Sequence, residues 1–362
     1  MVTLSSFRGV GGHGSLLSGD GRVLKPLPSE DPRSARELAF YEALRGPGAA
    51  GLAPLTPAFF GVREVSGMPH LDLEDLTAHF LLPCVLDVKM GARSAGADAA
   101  PEKVAREAAK WPPQARLGLR FSGMRVGWRA AGGAPQWREC SGEALRGRLP
   151  DDGGDAAPAA ALREFLGGGG GEGATGALRR DVLPPLLARL DALRAWFSTQ
   201  RQFLFYGSSL LIVYEGDGGG RGSGAGGGAG AAASGGAPAA VEARMIDFAH
   251  VWSADEKAPA GCDEGYLLGL ATLERVLRGL LDSGGADAAA VKTPSSLFLK
   301  RVSPRGCKGV PRRHPALSPR VARSVGAPAA AAVLAAAAER CRVLALIRRA
   351  VAAAAAATAR FL

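Results

Sequence analysis

The sequence predicts an α+β fold. Three observations predict it. Short, strongly apolar stretches such as Leu210-Leu211-Ile212-Val213-Tyr214 read as strands. Longer stretches such as residues 178–200 repeat their apolar residues at helical spacing. Gly and Pro punctuate the intervals between the two kinds. The 362 residues suffice for one large domain of two lobes or for two ordinary domains, and a hydrophobic content of 47% permits a sizeable core. Glycine, at 51 residues, is about twice its usual share, which predicts that part of the chain stays unpacked.

The elements follow in order. Residues 8–27 alternate Gly-rich turns with apolar residues and predict a hairpin of two strands ending at Lys25. Residues 34–45 predict a helix, with Leu38, Tyr41 and Leu44 on one face and Ser34 as N-cap. Leu71, Asp72 and Leu73 read as a strand, as do Phe80, Leu81 and Leu82, and residues 84–88. Residues 101–111 predict a helix, opened by Pro101 and stopped by Pro112 and Pro113. Residues 117–126 predict a strand, 141–149 and 158–166 short helices, and 167–173 a flexible Gly-rich break. The long amphipathic helix over 178–200 precedes the strand at 210–214. Residues 216–239 are mostly Gly, Ala and Ser, too poor in apolar surface to repay ordering, and predict a disordered insertion. The fold resumes with a strand at 243–248 and an apolar helix over 263–282. Beyond 284 lie a basic linker and, from Ala327, an Ala-rich segment that is helical by propensity.

Charge is concentrated. The formal charge is +10, yet nine basic residues and no acid lie between Lys292 and Arg323, and five arginines against one glutamate follow. The other 291 residues therefore net −3. A nucleic-acid function resting on the chain's overall basicity is excluded, and segment 292–323 remains a candidate for contact with anionic lipid or nucleic acid. Phe298 is its lone aromatic residue, which argues against sequence-specific reading of RNA by base stacking. The five cysteines are scattered, without metal spacing, and predict reduced thiols in the nucleus or cytoplasm. No charge-free apolar run reaches the roughly 18–20 residues of a bilayer span, so no integral membrane segment is expected, and a monomer is.

Three apolar strands carry charges that are costly unless paired or metal-bound. They are Leu24-Lys25, Leu86-Asp87-Val88-Lys89 and Ile246-Asp247-Phe248. Asp87 and Lys89 alternate and so share one strand face. Phosphoryl transfer needs residues of these types: a cation for nucleotide phosphates and a carboxylate for Mg²⁺.

Together the strands match longer patterns. Pro83-Cys84-Val85-Leu86-Asp87-Val88-Lys89-Met90-Gly91 fits PxxxDxKxG, Ser208-Ser209-Leu210-Leu211 fits SSLL, and Ile246-Asp247-Phe248-Ala249-His250 fits IDFAH. Arg36-Glu37-Leu38-Ala39-Phe40-Tyr41, Leu73-Glu74-Asp75-Leu76-Thr77 and Asp263-Glu264-Gly265-Tyr266 also match, in the same order. In these motifs, which cover about residues 10–282, the chain resembles the inositol polyphosphate kinase family.

The resemblance implies a two-lobed fold distantly like protein kinases, with antiparallel sheets in both lobes. It implies a nucleotide-binding lobe over 1–82, a catalytic lobe over 83–283 and a tail over 284–362. It implies ATP and Mg²⁺ as cofactors and an inositol polyphosphate as acceptor. Lys25 would bind ATP phosphates with Glu37 as its ion-pair partner, while Glu74 and Leu76 would meet adenine. Asp87 would contact the ribose, Lys89 would bridge substrate and transferred phosphate, and Asp247 would hold Mg²⁺. Ser209 would support the site structurally.

On the substrate side the resemblance points to Arg33, Lys103, Arg106, Lys110 and His250. Lys103, Arg106 and Lys110 lie at helical spacing, which predicts one shared face. Arg106 and Glu107 depart from the family's pattern, which bears on substrate choice. The short stretch between Gly91 and Gly118 resembles the family's multikinase branch. An inositol hexakisphosphate kinase shares the same motifs, and the basic tail motivates a third reading, a polyanion-binding scaffold. Neither an HRD loop nor a DFG triplet is present, which argues against a protein kinase.

Overall fold

The structure is a computed structural model that describes residues 5–11, 15–46, 51–129, 133–150, 154–167, 177–216, 239–253 and 262–283. Most of the Gly-rich break, the insertion at 217–238 and all of 284–362 lie outside the described residues.

The first lobe is an antiparallel sheet in the order β1-β2-β3-β5-β4 with one helix. Its strands are β1 (Ser5–Arg8), β2 (Ser15–Gly19), β3 (Arg22–Pro26), β4 (Phe59–Val65) and β5 (Met68–Glu74). The expected two-stranded hairpin is β2 and β3, and β1, which begins ahead of the expected range, adds a third strand to it. Asp20 and Gly21 join β2 to β3 with φ of 56° and 68°, the left-handed pair that a tight two-residue hairpin turn demands. Helix α1 (Pro32–Ala43) starts earlier than expected. Asp31, not Ser34, is the N-cap, accepting from the Arg33 backbone N–H, and Pro32 presets the first turn.

The second lobe is built on an antiparallel sheet in the order β11-β10-β6-β7-β8. Here β6 is Pro83–Met90, β7 Leu119–Arg129, β8 Pro135–Ser141, β10 Ser209–Glu215 and β11 Val241–Ile246. A two-stranded piece pairs β9 (Phe203–Phe205) with β12 (Val251–Ser253). Between β6 and β7 lie α2 (Pro101–Ala109) and α3 (Gln114–Leu117). After β8 come α4 (Gly142–Arg146), α5 (Ala156–Leu166) and α6 (Leu183–Thr199), and α7 (Glu264–Asp282) closes the lobe. Helix α6 starts at Leu183 rather than 178, because Pro184 and Pro185 suit a first turn.

The core of this lobe lies between the sheet and helices α5, α6 and α7. Phe197 of α6 stacks on Tyr266 of α7 at 4.0 Å, and the buried Tyr214 hydroxyl donates to the Phe165 carbonyl at 2.6 Å. Residues 80–82 are not a strand. The Glu215 carboxylate accepts from the backbone N–H groups of Leu81 and Leu82 at 2.8 and 2.9 Å. A segment whose amides face a side chain in this way is tied down without joining a ladder.

Candidate active site

An apolar cavity of about 350 Å³ lies between the two sheets. Leu16 and Val23 of the first sheet, Leu73, Leu76, and Val85 and Leu211 of the second sheet line it. Lys25, Glu37, Asp87 and Asp247 make its polar end. Strand β3 projects Lys25, whose Nζ donates to Glu37 Oε1 at 2.8 Å and to Asp247 Oδ1 at 2.7 Å. Burial alone would lower the lysine's pKa, but the Asp247 and Glu37 carboxylates outweigh it and hold the ammonium charged. Glu37 is buried on α1, and its Oε1 also accepts from the Phe248 backbone N–H at 3.0 Å. One carboxylate therefore ties the lysine to the chain immediately after Asp247.

Asp247 has φ of 63°, the left-handed region that a non-glycine residue adopts only when its surroundings enforce it. Its side chain is 40% exposed toward the cavity. Burial acts to raise its pKa, and Lys25 and Lys89 hold it below the usual carboxylate range. Asp87, on the central strand β6, behaves oppositely. Burial, then the Asp247 charge, push its pKa up to about 6. Its Oδ1 has no hydrogen-bond partner among the described residues.

The register of β6 against β7 shifts at Asp87, leaving Ser122 as the extra residue of a bulge. The Gly9-Val10-Gly11 loop lies on this spot: a Cβ on Gly11 would strike the Asp87 carboxylate, and one on Gly123 would strike the Val10 carbonyl. Only glycine permits so close an approach of two backbones.

At the far end, Glu74 and Leu76 line the cavity on the connection to the second lobe. Asp75 Oδ1 accepts from the Thr77 N–H at 2.8 Å and from its hydroxyl at 2.6 Å, which fixes this connection in an Asx turn. The Glu74 side chain turns back to accept from the Ala58 N–H at 3.0 Å.

A second, larger cavity of about 860 Å³ shares the Gly9-Val10-Gly11 rim with the first. Lys89, Arg33, Lys103, Lys110 and His250 line it, as the sequence predicts, and so do Arg120 and Arg146. Arg106 does not. A helix advances about 100° per residue, so positions four and seven after Lys103 stay within about 40° of it, while Arg106 swings about 60° away. The face toward the cavity is Lys103, Glu107 and Lys110.

Several of these groups are already engaged. Lys89 Nζ donates to the Gly207 carbonyl at 2.8 Å, and Arg33 forks onto Asp31 at 2.6 to 2.9 Å. Burial, with the charges of Lys103, Arg36 and Arg33, pushes the His250 pKa down to about 4, so the imidazole is neutral at physiological pH.

Arg120 and Arg146 were not among the expected site residues. Arg120 had a visible signal, a lone charge in an apolar strand between Leu119 and Phe121, the same signal that marks Asp87 and Asp247. Arg146 had none, since an arginine on a short helix is ordinarily solvated.

The polar end fits a divalent cation held together with phosphate. Among the described residues no group of three or more His, Cys, Asp or Glu could hold a metal alone. Two carboxylates, one with an unpartnered buried oxygen, are the hard donor set expected where substrate phosphates and water complete the shell of Mg²⁺. The cysteines Cys84, Cys140 and Cys262 are free thiols. No helix among the described residues is long and apolar enough to cross a membrane.

Comparison with known proteins gives consistent findings. A family model described as inositol polyphosphate kinase matches residues 70–278. The inositol polyphosphate multikinase of Rattus norvegicus is 31% identical over 211 residues, 56% of this chain and 50% of that protein. Inositol hexakisphosphate kinase 3 of Mus musculus is 34% identical over 219 residues, 58% of this chain and 50% of that protein. The chain thus spans about half the length of the curated relatives it matches. A solved structure described as inositol phosphate multikinase Ipk2 in complex with ADP and Mn²⁺, from S. cerevisiae, aligns with a TM-score of 0.51 at 20% identity. It covers 72% of this chain and 100% of that one, a likeness of fold alone.

Proposed function

Because the chain belongs to the inositol polyphosphate kinase family, we propose that it transfers the γ-phosphate of ATP to hydroxyls of inositol polyphosphates, in the manner of a multikinase. The observation that carries this reading is the pair of confluent cavities. One is apolar with Lys25, Asp87 and Asp247 at its end, the other is lined by cations, and they meet under one Gly-rich rim.

The apolar walls suit a nucleotide base, and the Asx-turned connection at Glu74 and Leu76 offers backbone groups to its edge. Lys25, held by Glu37, meets the phosphates as a fixed cation and need not reorient during transfer. Asp87 is a second carboxylate at that end, beside the ribose or the phosphates. Asp247 and the free Asp87 Oδ1 would hold the metal, and a bound Mg²⁺ supplies charge neutralisation on the phosphate oxygens. Lys89 lies two residues beyond Asp87 on β6 and lines the cationic cavity, so it faces the boundary where acceptor hydroxyl and phosphate meet. Lys103, Lys110 and Arg33 then receive the acceptor's phosphates, and the neutral His250 contacts a hydroxyl or phosphate oxygen. The adenine nucleotide and divalent ion named for the yeast relative support this choice of cofactors.

The test is positional mapping of products from inositol 1,4,5-trisphosphate with ATP and Mg²⁺. Successive addition to higher phosphates is expected. Asp247→Ala abolishes turnover with the circular dichroism spectrum unchanged, because the carboxylate binds charge rather than core. Undiminished turnover by that variant contradicts the assignment. The identity to a hexakisphosphate kinase favours a second reading; hexakisphosphate as the sole accepted substrate would establish it in place of the first.

A further inference from the structure

The cationic cavity contains an anomaly. Glu107, an acid, lines it from α2, the helix that also presents Lys103 and Lys110. Its Oε1 accepts from Lys110 Nζ at 2.6 Å. Its Oε2 accepts from Arg120 Nη2 at 3.3 Å, and its backbone carbonyl from Arg120 Nη1 at 3.1 Å. Arg120 comes from the central part of the sheet and is only 5% exposed. Burial acts to raise the Glu107 pKa, but Lys110 and Arg120 hold it below the usual carboxylate range. Two cations on the α2 side of the cavity are therefore already answered by one carboxylate. The charge there is not that of a pocket built for a phosphate at every position.

We propose that Glu107 determines how many phosphates the acceptor may carry, by accepting a hydrogen bond from a free ring hydroxyl on the α2 side and repelling a phosphate at that place. The inference rests on the inositol phosphate kinase reading and deepens it. An ionised carboxylate is an acceptor only, so it suits a hydroxyl donor. A phosphate carries between one and two negative charges near neutrality, and like charges at close range disfavour binding. Replacing Glu107 by glutamine removes the charge that repels a phosphate and leaves Lys110 and Arg120 with no carboxylate competing for them.

The experiment measures kcat/KM for wild type and Glu107→Gln on inositol tris-, tetrakis- and pentakisphosphate. The expected result is a shift in the pentakis- to trisphosphate ratio toward pentakisphosphate by about tenfold or more, the equivalent of roughly 1.4 kcal/mol. Arg120 is buried, so leaving it unpaired endangers folding. The double variant Glu107→Gln with Arg120→Leu removes both charges together and shifts the ratio in the same direction. Glu107→Asp keeps the charge and keeps the wild-type ratio. A ratio that stays unchanged in a folded variant while absolute rates fall assigns Glu107 a purely structural role and overturns the proposal. A wild-type protein that phosphorylates none of the three overturns the kinase reading itself, and this inference with it.

Discussion

Asp87 is 5% exposed on the central strand with one carboxylate oxygen unpartnered, and its pKa is pushed up to about 6. An unfolded aspartate titrates near 3.9, so the folded state binds the extra proton between about pH 4 and 6. Stability from this group is present below the unfolded value and is lost as pH rises through about 6. Asp87→Asn therefore stabilises the free protein at pH 8, by up to about 3 kcal/mol for two pKa units, and not at pH 4. The same change lowers kcat by about 100-fold or more, since it removes a charged group at the phosphate end. Melting midpoints at both pH values and a kcat measurement check this; an equal midpoint shift at pH 4 and pH 8 rules out the titration argument. Asp87, Lys25 and Asp247 were legible in the sequence because each is a charge set in an apolar run, although Asp247 lies just past the end of β11 rather than in the strand expected over 243–248. The bulge at Ser122 was not, because it exists only in the pairing of two strands.

At the scale of elements, strands buried on both faces were the most legible, as with β6 and β10, whose sequences are nearly continuous apolar runs. Strand β4 was hidden by its own punctuation, with Gly61 inside it and no residue fully buried at the sheet's edge. Residues 80–82 show the reverse error. Three consecutive apolar residues read as strand, yet Leu81 is 81% exposed and the Glu215 carboxylate takes the amides a ladder would have used. Glu215 thereby anchors the connection that carries Glu74 and Leu76 past the apolar cavity. Glu215→Ala leaves two amides without their charged acceptor and costs about 1–3 kcal/mol. It raises KM for ATP more than KM for the inositol phosphate, because only the apolar cavity borders that connection. Equal changes in both constants contradict the anchoring role. Helix α2 is another case: it has no buried residue, so its flanking prolines located it but no apolar face oriented it, and its face is set by Glu107 and Arg120.

Across the whole molecule, the two lobes meet through aromatic rings. Phe40 and Tyr41 of α1 lie 4.2 and 5.3 Å from Phe248 in the second lobe, and Phe205 packs edge-on against Phe40 at 5.8 Å. Arg36 reaches across to the Ala249 carbonyl at 3.3 Å, and Arg244 reaches back to Thr56 at 3.1 Å. Sequence reading places Phe40 and Tyr41 in one motif and Phe248 in another and has no means of joining them, since they are brought together only by the packing of α1 against the segment that follows β11. Phe248 is fully buried and follows Asp247, whose left-handed backbone persists because Glu37 holds the Phe248 amide and the rings hold its side chain. Phe248→Ala opens a cavity at this junction and costs about 3–5 kcal/mol. For a chain of this size that lowers the melting midpoint by roughly 10 °C. Below the midpoint the variant still binds inositol phosphate, because Lys89, Lys103 and Lys110 of the cationic cavity lie on β6 and at α2, away from Phe248, while Arg33 and His250 are its lining residues nearest the change. Its kcat falls, because Asp247 relaxes toward an ordinary backbone angle and leaves Lys25. Calorimetry paired with initial rates separates the two effects: a lowered midpoint with kcat unchanged at 20 °C shows that the rings stabilise the lobes without positioning the carboxylate, and sinks the link drawn here between lobe packing and the geometry of Asp247.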